Sequence, residues 1–203
     1  MYIVIEGQDG TGKSTQVRLL KEYYEKQNKE VAVMDEPDGD LEVAHDIHDL
    51  LVVRGKQYNM EPMTNVLLFT AARSELWRKI AEPVLKRDGI VISARNYWST
   101  LAYQGYGEGV SKSKIIKITH EALPDKYCKP DKSFILTVSD KIRLERQGER
   151  GKAIETFEAK PDDFQQRVNA AYPKIAKEFD VPVIDASGTI DEVFAKILEE
   201  LNK

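Results

Sequence analysis

Short apolar, β-branched runs alternate along this chain with longer amphipathic segments, the pattern of a parallel sheet whose crossovers are helices. The runs fall at 2–6, 31–35, 90–94, 133–138 and 181–185, and each predicts one strand. Between them, Val17, Leu20 and Tyr24 recur at helical spacing, as do Phe69, Ala72, Leu76 and Ile80, so both segments predict helices covering a sheet. Near the end, Thr189 and Glu192 form a capping box ahead of the stripe Val193, Ile197 and Leu201, which predicts a C-terminal helix on the core.

With 203 residues, 41% of them apolar, the chain has room for one sizeable core and not for two ordinary domains. Residues 147–161 are polar and poor in apolar side chains, and they read as a loop or lid rather than a linker. Residues 1–203 are thus expected to form one domain, with a lid at about 143–160. The charge balance, 30 − 34 = −4, argues against nucleic acid or an anionic membrane as the main partner. Cys128 is the only cysteine, so an intrachain disulfide and a CxxC pair are excluded, which fits a reducing cytoplasm. No signal-peptide pattern opens the chain and no run approaches the roughly 18 apolar residues of a membrane span. His45 and His48, with Asp46 and Asp49, read as a solvated helix turn and not as a metal site.

The first strand runs directly into Gly7, Gln8, Asp9, Gly10, Thr11, Gly12, Lys13, Ser14 and Thr15, which satisfies GxxxxGK[ST] ahead of an amphipathic helix. Glycines let successive backbone N–H groups turn toward phosphate oxygens, and the helix start adds its positive dipole end. Lys13 supplies a point charge to the β- and γ-phosphates, and Ser14 supplies a hydroxyl ligand for Mg²⁺. Nucleotide binding follows, but the loop also serves GTPases and ATP-driven machines. The stretch Asn28-Lys29-Glu30-Val31 ends in valine where the guanine-recognition element NKxD needs aspartate. Chain length leaves space for a sheet, a lid and an acceptor pocket, favouring a small-molecule kinase.

Three further stretches resemble the thymidylate kinase family: Leu68-Phe69-Thr70-Ala71-Ala72-Arg73, Arg95-Asn96-Tyr97-Trp98-Ser99-Thr100-Leu101-Ala102-Tyr103-Gln104-Gly105, and Glu36-Pro37-Asp38-Gly39. The family reads roughly LxFxAxR, DRYxxSxxAYQG and REPGG there. The resemblance covers about the whole chain and implies a P-loop NTPase fold, three α/β layers with a five-stranded parallel sheet in order 2-3-1-4-5. It implies transfer of the γ-phosphoryl group of ATP, with Mg²⁺, to dTMP, and a homodimer.

Phe69 and Arg73, four apart on one helix, put an aromatic plate and a fork of donors on one face toward a flat base. Arg95 closes the third strand, where parallel sheets present ligands, and suits a monophosphate bidentately. The resemblance implies that Ser99, Thr100 and Gln104 line the acceptor, that Tyr103 packs on the sugar, and that Asp9 meets its 3′-hydroxyl. Position 10 is glycine where one subgroup has arginine, so the transition-state cation is implied to come from the lid. Its candidates, Arg143, Arg146 and Arg150, share a helical face, with Lys152 a further one.

One departure stands out: the family's Asp-Arg pair is Ala94-Arg95 here, and Asn96 replaces an aromatic. The run 31–36 ends in Asp35 and Glu36, so either carboxylate is a substitute near the metal. Glu36, which coincides with the family's glutamate beside Pro37, is the better candidate than Asp35, which replaces an arginine. Trp98 is expected to be exposed. The alternatives are a P-loop kinase for another nucleotide or nucleoside, and a nucleotide-binding protein impaired in catalysis by Ala94.

Overall fold

β1 (Tyr2–Glu6) is buried along its whole length, as the central strand of a parallel sheet must be. In the computed structural model, which describes residues 1–38, 41–149, 156–157 and 159–203, it is flanked by β3 (Ile90–Ala94) and β4 (Lys132–Thr137). β2 (Val31–Asp35) pairs with β3 and β5 (Val183–Asp185) with β4, so the order is β2-β3-β1-β4-β5, all parallel. This is the predicted architecture. β5 begins two residues later than expected because Pro182 has no N–H for the ladder; its carbonyl accepts from Ile135 N at 2.9 Å instead.

Among the described residues seven longer helices surround the sheet: α1 (Lys13–Glu25), α2 (Glu42–His48), α3 (Pro62–Leu76), α4 (Lys112–Ala122), α5 (Asp140–Glu149), α6 (Asp162–Phe179) and α7 (Ile190–Leu201). On one face Ile3, Ile5, Ile92 and Ala94 pack with Val17 and Leu20 of α1 and with Val193 and Ile197 of α7. On the other, Tyr2, Val4 and Val91 pack with Phe69, Ala72 and Leu76 of α3 and with Val168 and Ile175 of α6. The predicted capping box of α7 is formed in both directions by Thr189 and Glu192.

After β3 the chain makes one helical turn, Tyr97–Thr100, and then a π-helical segment, Leu101–Gly107. Asn96 caps that turn, its side-chain oxygen accepting from Trp98 N at 2.8 Å. Trp98 corrects the expectation of an exposed residue: it is buried against Tyr97 and Phe179, with ring centroids at 5.9 and 5.6 Å. The wide π-turn carries Tyr103 and Gln104, consistent with such segments marking functional sites.

Gly7 sits where β1 enters the phosphate loop. Its φ is +142°, and a Cβ there would lie 2.5 Å from the Leu136 carbonyl oxygen. Gly7→Ala is therefore expected to lower stability by about 2 kcal/mol, read as a shift of the denaturant midpoint at unchanged slope.

Candidate active site

The carboxyl ends of β1, β3 and β2 make one rim, the place where open parallel sheets present ligands. β1 delivers the phosphate loop. Gly10 and Gly12 have φ of +89° and +94°, values that keep the loop curled, and Gly12 stands at the N-cap of α1. Thr11 Oγ1 donates to the Gln8 carbonyl at 2.8 Å, and buried Lys13 donates its Nζ to the same oxygen at 3.0 Å. Lys13 Nζ also lies 3.8 Å from an Asp9 carboxylate oxygen. Ser14 is exposed in the first turn of α1. Beside the loop opens a cleft of about 310 Å³, lined among others by Thr11, Thr15, Arg146 and Gly188. Arg146 closes one wall of it, held by a hydrogen bond from Nη2 to the Ala186 carbonyl at 3.1 Å.

β3 delivers Arg95, whose φ of +76° is the left-handed region that a bulky residue rarely adopts. That backbone turn aims its guanidinium back across the rim. There it pairs with Asp9 and donates to Ser99 Oγ at 3.0 Å and the Gly7 carbonyl at 3.3 Å. Tyr103 OH donates to the other Asp9 oxygen at 2.9 Å, and its ring centroid lies 5.8 Å from the Arg95 guanidinium carbon. Burial opposes the Arg95 charge most strongly of any single influence, but Asp9, Tyr103, Tyr172 and Glu6 together outweigh it and hold the guanidinium protonated well above its usual range. Asp9, Arg95 and Tyr103, far apart in sequence, thus form one cluster facing the phosphate loop.

α3 delivers Phe69 and Arg73, one turn apart and on one face as predicted, with the guanidinium carbon 5.5 Å from the Phe69 ring centroid. Arg73 is buried and donates to Glu36 at 2.7 Å, Thr100 Oγ1 at 2.7 Å and the Asn96 carbonyl at 3.1 Å. Gln104, in the π-helical segment after β3, is buried with its side-chain N–H₂ unpartnered. An unpaired buried amide is costly and fits a ligand that brings a carbonyl oxygen. Phe157 closes the space between Phe69 and Tyr103, at centroid distances of 5.8 and 6.0 Å. It is tied to the loop through Gln165, which donates to the Phe157 carbonyl at 2.7 Å and accepts from Gln8 at 3.1 Å.

Several expected residues hold places other than the expected ones. Glu36, the metal-facing candidate, is instead turned into the protein. Its carboxylate accepts from Arg73 at 2.7 Å, Tyr127 OH at 2.9 Å and Ser93 Oγ at 3.3 Å. Burial pushes its carboxyl up to about 7, against the pull of Arg73. Its role is to orient Arg73, and Pro37 follows it in a cis peptide at the turn. Ser99 stands behind Arg95, between it and Glu6, not at an open pocket wall. Phe69 is at once core and pocket wall. Of the lid arginines, Arg143 is buried near Asp140 at 3.4 Å and Arg146 reaches the cleft, while Arg150 and Lys152 lie outside the described residues.

Sequence reasoning missed Glu6 and Phe157. Glu6 is fully buried and accepts from the backbone of Gly7, Asn96 and Ser99 and from the Ser99 hydroxyl, which stitches β1 to the turn after β3. Its signal was a carboxylate inside an apolar strand, a position tolerated only when several donors converge. Phe157 was the one aromatic in a polar segment.

Mg²⁺ asks for hard oxygen ligands and keeps several waters, binding through one or two protein groups plus substrate phosphates. Among the described residues no group of three or more His, Cys, Asp or Glu side chains forms a cage for an ion. The exposed Ser14 hydroxyl and the free Asp35 carboxylate fit the sparser kind of site.

Residues 5–197 match the family model described as thymidylate kinase. The chain is 34% identical to the thymidylate kinase of Chlorobaculum tepidum, over 100% of this chain and 97% of that one. It is also 34% identical to that of Caldicellulosiruptor saccharolyticus, covering 97% and 93%. Among solved structures it is similar to the thymidylate kinase from Ehrlichia chaffeensis, with TM-score 0.79, 30% identity, and 100% and 98% coverage.

Proposed function

Because the chain belongs to the thymidylate kinase family, we propose that its rim transfers the γ-phosphoryl group of ATP to the 5′-phosphate of dTMP. The observation that carries this is the Asp9–Arg95–Tyr103 cluster set between the phosphate loop and the Phe69–Arg73 face. A new bond forms between a dTMP phosphate oxygen and Pγ, the bond from Pγ to the bridging oxygen breaks, and ADP leaves. No covalent enzyme intermediate is needed, since phosphoryl transfer is governed by positioning and charge.

In this reading the loop N–H groups and Lys13 hold the donor phosphates, and Thr11, Thr15, Arg146 and Gly188 border its remaining part. Arg95 holds the acceptor phosphate. Phe69 stacks on the base, while Arg73 and Gln104 present N–H groups to its carbonyls. The Asp9–Tyr103 hydrogen bond stands at the sugar. Arg146, with Arg150 of the lid, supplies positive charge to the phosphoryl oxygens as their charge spreads. Mg²⁺, when bound, neutralises the β- and γ-phosphate oxygens; Ser14 is its ligand in this proposal. The same proposal takes residues 1–203 as one kinase domain with a lid at about 143–160, in a cytoplasmic homodimer. Among the described residues no helix is long and apolar enough to cross a membrane.

The test is ADP release in a coupled assay with ATP and Mg²⁺ across dTMP, dUMP, dCMP, dGMP, dAMP, UMP and thymidine. The expected result is turnover with dTMP preferred. Preference for another monophosphate would move the base assignment, and background rates on every pyrimidine monophosphate would overturn the reading. Binding of both nucleotides with background turnover is the signature of the impaired-binder alternative that Ala94 raises.

A further inference from the structure

Phosphate-loop sites hold their divalent ion between the loop hydroxyl, the phosphates and a carboxylate at the end of an apolar strand. Four carboxylates lie where β1 and β2 reach the rim: Glu6, Asp9, Asp35 and Glu36. Three are engaged. Glu6 serves the turn after β3, Asp9 is paired with Arg95 and Tyr103, and Glu36 is paired with Arg73 and Tyr127. Asp35 is exposed and makes no hydrogen bond or ion pair with any described residue.

The sheet register says where Asp35 stands. Asp35 pairs with Ala94 across β2 and β3, and Ala94 pairs with Ile5 across β3 and β1. The three residues form one row, and side chains in a row of parallel strands leave the sheet on the same side. That side is the one α1 covers: Ile5, Ala94 and Val33, two residues before Asp35, pack with Val17 and Leu20. Ser14 lies in the first turn of the same helix. Glu36, one residue on, leaves from the opposite face, which is why it reaches Arg73 and not the phosphate loop. Between Asp35 and the loop the row presents only the methyl group of Ala94.

We propose that Asp35 is the carboxylate that faces the divalent cation in this site, acting on the ion's water shell from β2 across the space above Ala94. The inference rests on the kinase reading. It adds a residue to it that neither the motif nor the phosphate loop assigns, and it replaces Glu36 in that role.

The experiment is a Mn²⁺ titration followed by electron paramagnetic resonance on the full chain saturated with ADP, comparing wild type, Asp35→Asn and Asp38→Asn. Asp38 lies three residues on, where its carboxylate pairs with His45 at 2.9 Å, and its removal changes the net charge equally. Asp35→Asn is expected to weaken Mn²⁺ binding to the ADP complex about 10-fold, the scale of a lost outer-sphere partner. Metal-free ADP affinity should stay within about twofold, and Asp38→Asn should match wild type. Unchanged Mn²⁺ affinity in Asp35→Asn would overturn the inference alone, leaving the kinase reading intact. Equal weakening in both variants would reduce the effect to diffuse charge and overturn it as well. Failure of wild type to bind ADP would instead remove the kinase reading and this inference with it.

Discussion

Arg95→Ala is expected to raise KM for dTMP about 100-fold or more, with KM for ATP changed less than about threefold. Two effects add. The variant loses a half-buried guanidinium whose position is set by Gly7, Ser99 and Asp9, and it leaves the Asp9 carboxylate without its counter-ion beside an incoming phosphate. Like charge at close range in a partly buried rim costs several kcal/mol, about the size of a 100-fold effect. Arg95→Lys should recover only part of the loss, because an ammonium cannot span Asp9, Ser99 and a phosphate in one plane. Steady-state kinetics with each substrate varied in turn gives the split. Equal damage to both KM values would place Arg95 at the donor phosphates, and no damage to either would remove it from the site.

The second large effect is on stability. Glu36→Ala is expected to lower the unfolding free energy by about 3 kcal/mol near pH 6. It strips the acceptor from Arg73, Tyr127 and Ser93, all within the protein, and leaves these buried donors without their partner. The pH dependence has a definite sign. The Glu36 carboxyl titrates higher in the folded protein, about 7, than its ordinary value of 4.5, so the fold binds the extra proton between those values. Its contribution is fully present below 4.5 and is lost as pH rises through about 7. The gap between wild type and Glu36→Ala should therefore narrow from pH 6 to pH 8 in urea melts. A gap that widens with pH would show that the Arg73 pairing, not burial, dominates the carboxyl. Because Glu36 aims Arg73, the variant should also raise KM for dTMP with little change in KM for ATP.

Much of this protein is legible along the chain. Strands at 2–6, 31–35 and 90–94, the stripes of α1 and α3, and the capping box of α7 all follow from local rules: side-chain period, β-branching and cap chemistry act over a few residues. The phosphate loop is local too, since its glycines, lysine and serine act from nine consecutive positions. Phe69 and Arg73 were readable as a pair because helical spacing alone puts them on one face.

What the chain could not disclose is which charged group meets which. Asp9, Arg95 and Tyr103 converge only because β1 and β3 are neighbours and Arg95 takes a left-handed backbone. Glu36 and Asp35 are adjacent in sequence and chemically alike, yet strand alternation sends one into the ion-pair network of Arg73 and leaves the other open above Ala94. Glu6 and Phe157 acquire their partners from the turn after β3 and from α6, 90 and 93 positions away for Glu6. Period and one local motif by themselves determined the parallel α/β class of the fold and the nucleotide loop, because those depend on short-range geometry. The division of labour among the carboxylates was decided by the tertiary structure alone, because burial and pairing, which set the state of a charge, exist only once distant strands are side by side.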